Sequence, residues 1–148
     1  MRGSEEKMKA YNEIKLQVPA MSVNEGVCRA MVAAFCAQLD PNIEELADIK
    51  CSVSEAVTNC IVHAYGGRGG IIYITVGLYE GRWIRIEVRD RGCGIADVKT
   101  AMQPLYTTDR SGERSGMGFS VMESFMSRLS VSSTVGRGTR VVMWKRLL

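Results

Sequence analysis

The sequence predicts an α+β fold in which helices cover one face of a single β-sheet, as a two-layer sandwich. Three observations support this prediction. Alternating apolar residues, which are typical of strands, recur in three parts of the chain, at residues 14–18, 71–88 and 129–145. Helical spacing of apolar residues dominates between the first two parts and returns just before the third. A length of 148 residues and an apolar fraction of 46% suit one domain with one core.

The N-terminal part is predicted to contain one strand and one helix. Residues 1–7 are polar and unpatterned, so we expect a disordered leader or tag before a single domain at residues 8–148. Residues 14–19 alternate like a strand and end in proline. Ser22 and Glu25 fit a capping box, which predicts the start of a helix. The expected buried side of this helix is formed by Val27, Met31, Ala34 and Phe35.

A second helix, which is predicted to begin near Pro41 and to run to residue 65, has the most informative pattern. Its apolar positions gather on one side, at Ile49, Val53, Val57, Cys60, Ile61 and Ala64. On another side, Glu55, Asn59 and His63 follow one another at intervals of four. An amide oxygen suits Mg²⁺, and a carboxylate one turn earlier can accept a proton from an attacking hydroxyl. A partly solvated polar side is the alternative that these three residues alone leave open.

The C-terminal half supplies most of the sheet. Residues 71–79 and 83–88 predict a β-hairpin. Residues 95–115 are weakly patterned, which is typical of a lid or a disordered segment. A third helix is expected at residues 115–127, followed by two strands at 129–134 and 139–145. The resulting order, β-α-α-β-β-loop-α-β-β, predicts a mixed, mostly antiparallel sheet with helices on one face.

Composition excludes several classes of function. The net charge of +3 is small and the arginines are scattered, so no nucleic-acid surface is expected. Five cysteines without a Cys-x-x-Cys pair, together with a single histidine, give no zinc set and suit a reduced cytoplasm. No apolar run reaches transmembrane length and no signal-peptide core is present, so we expect a cytoplasmic protein with no membrane partner.

Two glycine-rich stretches flank the long loop. Residues 90–94, Asp-Arg-Gly-Cys-Gly, follow a strand, and residues 115–118, Ser-Gly-Met-Gly, precede a helix. They are neither a Walker A loop nor a Rossmann fingerprint, and the signatures of ordinary protein kinases are absent. Taken singly, the first could be a strand-ending turn and the second a helix start. Glycines at a helix start also let backbone amides approach phosphates.

In combination, Glu55-x-x-x-Asn59, Asp90-x-Gly-x-Gly94 and Gly116-x-Gly118 resemble the nucleotide-binding superfamily of gyrase, Hsp90, histidine kinases and MutL. More closely, residues 53–59, 103–108 and 114–119 are similar to the sporulation branch of the anti-sigma-factor serine kinases, rather than to the general-stress branch. The resemblance extends from about residue 8 to the C-terminus. It implies a Bergerat-type ATP-binding fold with ATP or ADP and Mg²⁺ as cofactors. It also implies a protein that inhibits a sporulation sigma factor and phosphorylates a serine of its anti-anti-sigma antagonist.

The resemblance also implies roles for single residues. Glu55 would be the general base, and Asn59 the Mg²⁺ ligand. Asp90 would accept the adenine amine, Gly92 and Gly94 would let the backbone close around the base, and Thr139 would help to hold adenine. The predicted lid and phosphate contacts are Thr107, Thr108, Arg114, Ser115, Gly116, Met117 and Gly118.

Further residues are assigned to less specific contacts. His63 is expected to make a polar contact near the phosphates or at the helix end. Arg29, and also Arg114, would touch protein partners. The resemblance implies a homodimer that pairs through the N-terminal strand and helix.

Two other functions stay open. A binding module could sequester a sigma factor in an ATP-dependent manner without chemistry, but it would need neither Glu55 nor Asn59. A detached histidine-kinase ATPase domain would need a phosphoacceptor histidine on a dimerising helix pair. The only histidine, His63, lies within the predicted nucleotide-site helix.

Overall fold

A computed structural model describes residues 8–103 and 118–148. It contains five strands, which are β1 (Asn12–Pro19), β2 (Ile71–Tyr79), β3 (Trp83–Arg89), β4 (Arg128–Thr134) and β5 (Gly138–Arg146). Its α-helices are α1 (Asn24–Cys36), α2 (Ile43–Asn59), the short α3 (Val98–Ala101) and α4 (Gly118–Phe125). A 3₁₀ turn at Ala37–Leu39 follows α1, and a π-helical turn at Cys60–Ala64 continues α2. The predicted α+β class is confirmed.

The five strands form one sheet in the order β1-β2-β3-β5-β4, and every neighbouring pair is antiparallel. The expectation of a mixed sheet was therefore wrong for the strands that the structure describes. The chain leaves the sheet after β1, forms α1 and α2, and re-enters the sheet beside the end of β1. Pro19 therefore lies opposite Ile71. The strands β3 and β4 run in the same direction, but β5 lies between them and pairs with both.

One face of the sheet and the apolar side of α2 form the core. Strands β2 and β3 contribute the alternate residues Ile72, Ile74, Val76, Leu78, Ile84, Ile86 and Val88. Against them, α2 buries Ile49, Val53 and Val57 completely, as its periodicity predicted. Each such side chain contributes about 1.5–3 kcal/mol on burial. This packing fixes the rotation of α2 and thereby the direction of its polar side.

Helix α1 differs from the prediction at its start and in its buried side. Val23 occupies the N-cap position without a side-chain hydrogen bond, so the capping box at Ser22 and Glu25 was wrong. The buried residues of α1 are Cys28, Val32, Ala33 and Cys36, whereas Val27 and Met31 are 45% and 41% exposed. The two stripes lie about 100° apart, one residue of helix rotation. Small cysteine and alanine side chains let α1 pack closely on its neighbours, which apolarity alone does not predict.

The capping box of this protein stands at the start of α2 instead. The Asn42 side chain accepts a hydrogen bond from the Glu45 amide at 2.7 Å, and Glu45 accepts one from the Asn42 amide at 2.9 Å. The second oxygen of Glu45 accepts a bond from the Leu148 amide at 2.8 Å. Helix α2 is thus fixed at its first turn both internally and to the C-terminal end of the sheet.

Candidate functional site

Helix α2 presents Glu55 and Asn59 one turn apart, and both face the start of α4. A Cβ atom placed on Gly118 would lie 3.2 Å from Glu55 Oε2 and 3.4 Å from both side-chain atoms of the Asn59 amide, Oδ1 and Nδ2. The first and third motifs, which lie about 60 residues apart in sequence, therefore meet at one place. Glycine fits there because any larger residue would press on the two polar groups.

The chemistry of this place suits an anion with a divalent cation. The first amides of a helix have no intrahelical acceptor, and the helix dipole favours negative charge at that end. The Asn59 oxygen is a hard donor of the kind that Mg²⁺ accepts together with phosphate oxygens and water. Glu55 adds a carboxylate on the same side. These groups fit a Mg²⁺–phosphate unit at the N-terminus of α4.

Beyond Asn59 the helix widens into a π-turn, with the Tyr65 amide bonded to the Cys60 carbonyl at 3.0 Å. Such turns are rare and occur frequently at functional sites. In a turn with bonds from i to i+5, neighbours on one side are no longer four apart. His63 lies within this turn, so spacing by four residues does not by itself place it on the side of Glu55 and Asn59. Its backbone carbonyl accepts a bond from the Cys93 thiol at 3.3 Å.

The carboxylate of Asp90 lies at the end of β3 and is only 6% exposed. Its Oδ1 accepts hydrogen bonds from the amides of Gly92 at 2.9 Å and Thr139 at 3.2 Å. Burial raises the pKa of Asp90 above its usual range, although these two amides and the Cys60 thiol partly oppose the shift. A buried carboxylate in this setting can accept a further donor, such as an exocyclic amine.

Thr139 lies beside Asp90 and is 8% exposed. Its carbonyl accepts a bond from the Asp90 amide at 2.9 Å, so the two residues are bonded in both directions. Its hydroxyl lies 2.8 Å from Ser133 Oγ. The Ser133 hydroxyl in turn accepts a bond from the Ile95 amide at 2.7 Å and donates one to the Gly138 carbonyl. Asp90, Thr139 and Ser133 thus form one fixed side of the site, at β3, β4 and β5. We call this side the wall.

Gly92 and Gly94 allow three segments to meet at this wall. A Cβ on Gly92 would collide with the Ala64 carbonyl at the end of the π-turn, and one on Gly94 would collide with the Thr134 carbonyl. Gly94 also has φ of 78°, which only glycine adopts readily. The backbone at both glycines therefore does lie very close to other groups. In the folded chain these groups are backbone carbonyls of the protein itself.

Several residues of this region were not singled out from the sequence. The Tyr65 hydroxyl accepts a bond from the Arg91 amide at 2.7 Å and donates one to the Ile71 carbonyl at 2.6 Å. Ser133 and Cys60 also belong to the wall. Single hydroxyls and thiols within a strand or helix have no sequence signature, since their partners are distant in the chain. The position of Tyr65 directly after the polar side of α2 was the one available signal.

Arg29 lies on α1, and its side chain forms a hydrogen bond to a residue of α2. Its Nη1 donates hydrogen bonds to Glu25 Oε1 at 2.7 Å and to Ser54 Oγ at 3.1 Å. Glu25, which the sequence analysis assigned to a capping box, is instead the ion-pair partner of Arg29. Because Ser54 precedes Glu55, the Arg29 guanidinium is held next to the polar side of α2 and remains partly exposed.

The remaining predicted site residues lie outside the described ranges. These are Thr107, Thr108, Arg114, Ser115, Gly116 and Met117. Residues 104–115 of the predicted lid segment and the leader at residues 1–7 fall outside those ranges as well, whereas residues 95–103 are described and contain the short helix α3. Of the helices that the structure describes, none is both long and apolar enough to cross a membrane.

Comparison with known proteins places the chain in a family. Residues 18–145 match the family model of the histidine kinase-like ATPase domain. The anti-sigma F factor of Caldanaerobacter subterraneus subsp. tengcongensis is 55% identical over 138 residues, which are 93% of this chain and 96% of that protein. The anti-sigma F factor of Clostridium acetobutylicum is 48% identical over 91% of this chain and 94% of that protein.

Solved structures agree with this fold. The RsbU and RsbW domains of a Mycobacterium tuberculosis protein superpose with a TM-score of 0.67 at 20% identity, over 92% of this chain and 32% of that one. The histidine kinase domain of the blue-light activated kinase of Erythrobacter litoralis gives 0.56 at 20% identity, over 83% of this chain and 61% of that one. The predicted ATPase-type fold is therefore confirmed, and the family match implies that the domain binds a nucleotide. The chain belongs to the anti-sigma F factors, within the histidine kinase-like ATPase family.

Proposed function

We propose that this chain is an ATP-dependent protein serine kinase that also binds and inhibits a sporulation sigma factor. Its substrate is a serine of the anti-anti-sigma antagonist. The observation that supports the kinase activity is the meeting of Glu55 and Asn59 with Gly118 at the start of α4. A module that only bound nucleotide would need an anion site, but it would need no carboxylate beside that site.

In this proposal ATP spans the two halves of the site. Adenine lies against the wall, where Asp90 accepts its exocyclic amine and Thr139 supports Asp90. The phosphates lie at the N-terminus of α4, where Gly118 leaves room for them beside the polar side of α2. Phosphoryl transfer depends mainly on such positioning and on stabilisation of charge. Arg114 and the other residues of the predicted lid are proposed to contribute further phosphate contacts.

Mg²⁺ would be held by the Asn59 oxygen and would supply charge neutralisation at the phosphates. Glu55 would orient the serine hydroxyl of the antagonist and take its proton as the serine oxygen bonds to the γ-phosphorus and the bond to the departing ADP breaks. The partly exposed location of Arg29 next to Ser54 suits a contact to a partner that approaches the same side of α2.

The test is transfer of phosphate to the antagonist. The protein is mixed with Mg-ATP and the purified antagonist, and phosphoserine on the antagonist is measured by mass spectrometry. Glu55→Gln should lower the rate by about 10²–10⁴-fold, the usual contribution of a general base. Asn59→Ala should also abolish transfer at ordinary Mg²⁺ concentrations.

Glu44→Gln is the matched control, because Glu44 lies on the same helix, is exposed and is far from the site. It should leave the rate unchanged. Unaltered transfer in Glu55→Gln would sink the proposed role of this residue. ATP binding without any transfer by the unaltered protein would favour the sequestering module.

We also propose that the protein forms a homodimer through β1 and α1. Among the described strands β1 pairs with β2 alone, and its other edge would be the one to meet a second copy. An apolar stripe is exposed at the N-cap of the adjacent α1 and along the helix, with Val23 at 74% and Val27 and Met31 almost half exposed. Val27→Glu combined with Met31→Glu should convert a dimer to a monomer in sedimentation velocity. A wild-type protein that sediments as a monomer at concentrations of tens of micromolar would contradict this proposal.

A further inference from the structure

The face of the sheet that points away from α1, α2 and α4 collects the arginines that look scattered in the sequence. Residues directly opposite each other in the antiparallel register share a face. By this register, six cations lie on the outer face, and they are Lys15, Arg85, Arg89, Arg128, Arg140 and Arg146. Only two carboxylates, Glu13 and Glu87, share it among the described strands.

The outer face therefore has a formal charge of +4, from six cations and two carboxylates. The whole chain has +3, so everything outside this face sums to −1. Six of the 19 lysines and arginines thus account for an excess of positive charge on one side of the sheet. This side lies opposite α2, the helix that presents Glu55 and Asn59.

Aromatic rings hold several of these arginines. The guanidinium groups of Arg128 and Arg146 lie 5.8 Å and 6.0 Å from the centre of the Trp83 ring. Arg85 lies 5.9 Å from the centre of the Trp144 ring, which itself packs edge-on against Trp83 at 6.1 Å. A cation–π contact of this kind engages the charge of a guanidinium and leaves its N–H donors able to bind an oxyanion. The rings therefore preorganise the donors for a partner.

The internal charge balance of the face is incomplete. Arg89 stands directly opposite Arg140, an arrangement of like charges that destabilises a sheet. Glu87 lies 3.1 Å from Arg85 and 3.7 Å from Arg140, so one carboxylate serves two arginines. In the described parts of the chain, Arg89 and Arg146 form no ion pair with a carboxylate. An anionic partner would remove this repulsion.

We propose that the outer face is a docking surface for a carboxylate-rich region of a protein partner. Arginine forks bind carboxylates through two parallel hydrogen bonds, and the rings fix several such forks on one surface. Nucleic acid is disfavoured because binding to single strands relies on bases that stack on open aromatic faces. On this face the rings of Tyr73 and Trp83 already contact guanidinium groups, so they are not open to bases. Arg89 lies 4.7 Å and Arg91 5.0 Å from the centre of the Tyr73 ring. The proposal does not depend on the kinase activity.

The test uses two anionic probes of equal charge, a fluorescent polyglutamate peptide and a fluorescent oligothymidylate. Fluorescence anisotropy at low salt should show that polyglutamate binds, and binds more tightly than oligothymidylate. The double variant Arg89→Gln/Arg140→Gln should weaken polyglutamate binding at least about tenfold. The matched control Arg68→Gln/Arg137→Gln removes the same charge from two exposed turns outside the strands, and it should change binding less than about twofold.

A second measurement locates the contact in the unaltered protein. The Nε–Hε resonances of Arg89 and Arg140 should shift on titration with polyglutamate, and that of Arg68 should not. Absence of polyglutamate binding, preference for oligothymidylate, or equal losses in both double variants would overturn the proposal. It would also be overturned if sedimentation showed that Arg89→Gln/Arg140→Gln dissociates a dimer, since a second copy would then occupy the face.

Discussion

The two halves of the site are held in different ways. At the wall, Asp90, Thr139 and Ser133 are linked by hydrogen bonds to one another and to backbone groups of β5 and of the loop after β3. At the other half, Glu55 and Asn59 are placed by the packing of α2 and by the absence of a side chain on Gly118. Within the described residues, no hydrogen bond fixes either of these side chains. The wall therefore belongs to the stability of the fold, whereas the α2–α4 half is available for chemistry.

The sharpest test of this contrast is Asp90→Ala. The change leaves the amides of Gly92 and Thr139 without their buried acceptor, and each loss costs about 1–3 kcal/mol. We expect the free energy of unfolding, measured with urea, to fall by about 2–4 kcal/mol, together with loss of ATP binding. Glu55→Gln, by contrast, should change it by less than about 0.5 kcal/mol while transfer is lost.

The variant Asp90→Asn separates acceptor from charge. It keeps an oxygen for the two amides and removes an ionisation that burial disfavours, so its stability should stay within about 1 kcal/mol of the unaltered protein. A stability loss in Glu55→Gln as large as that in Asp90→Ala would show that the two halves do not differ in this way.

A smaller effect is expected at the point where α2 and α4 meet. In Gly118→Ala the new Cβ lies 3.2 Å from Glu55 Oε2, so the carboxylate must shift by a few tenths of an ångström. We expect the rate of phosphate transfer to fall about tenfold, because misplacement of a reacting group lowers the reaction rate more than it weakens ATP binding. Stability should be unchanged or slightly higher, since alanine is the better helix former.

Gly26→Ala is the matched control for this variant. Gly26 lies on α1, and a Cβ there meets only the end of the Arg29 side chain at an ordinary 3.5 Å. Its effect on transfer should be less than about twofold. If both alanine variants transferred phosphate at the rate of the unaltered protein, contact between Gly118 and Glu55 would have no bearing on catalysis.

The same contrast explains which features the sequence could predict. The α2 side depends on periodicity within one helix, so the common side of Glu55 and Asn59 and the burial of Ile49 and Val53 could be predicted from spacing. The roles of Glu55 and Asn59 came from the resemblance. The wall depends on side chains that are distant in sequence, and Ser133 has no local pattern that indicates its role. For α1, two neighbouring stripes both fitted helical spacing, and packing against α2 selected the one with cysteines. The cations of the outer face likewise can be grouped together only once the strand register is known.

The smallest predicted effect concerns the anchor of α2 and has a pH signature. Burial acts to raise the pKa of Glu45, but bonds from the Asn42 and Leu148 amides and nearby cations outweigh it and lower the pKa overall. A carboxylate with a depressed folded-state pKa contributes stability above its unfolded pKa, about 4.3, and loses it as pH falls further. Glu45→Gln keeps one acceptor oxygen but leaves the Leu148 amide unpaired, which costs about 1 kcal/mol near pH 7.

The difference in unfolding free energy between Glu45→Gln and the unaltered protein should shrink as the pH is lowered from about 5 to about 3. Urea unfolding at several pH values measures it directly. Glu44→Gln, one residue earlier and exposed, should show a smaller difference at every pH. Transfer activity at neutral pH should survive in Glu45→Gln, because Glu45 anchors the first turn of α2 while Glu55 lies almost three turns further along the helix. A difference that stays constant down to pH 3 would mean that lost packing, and not the charged carboxylate, explains the effect of Glu45→Gln.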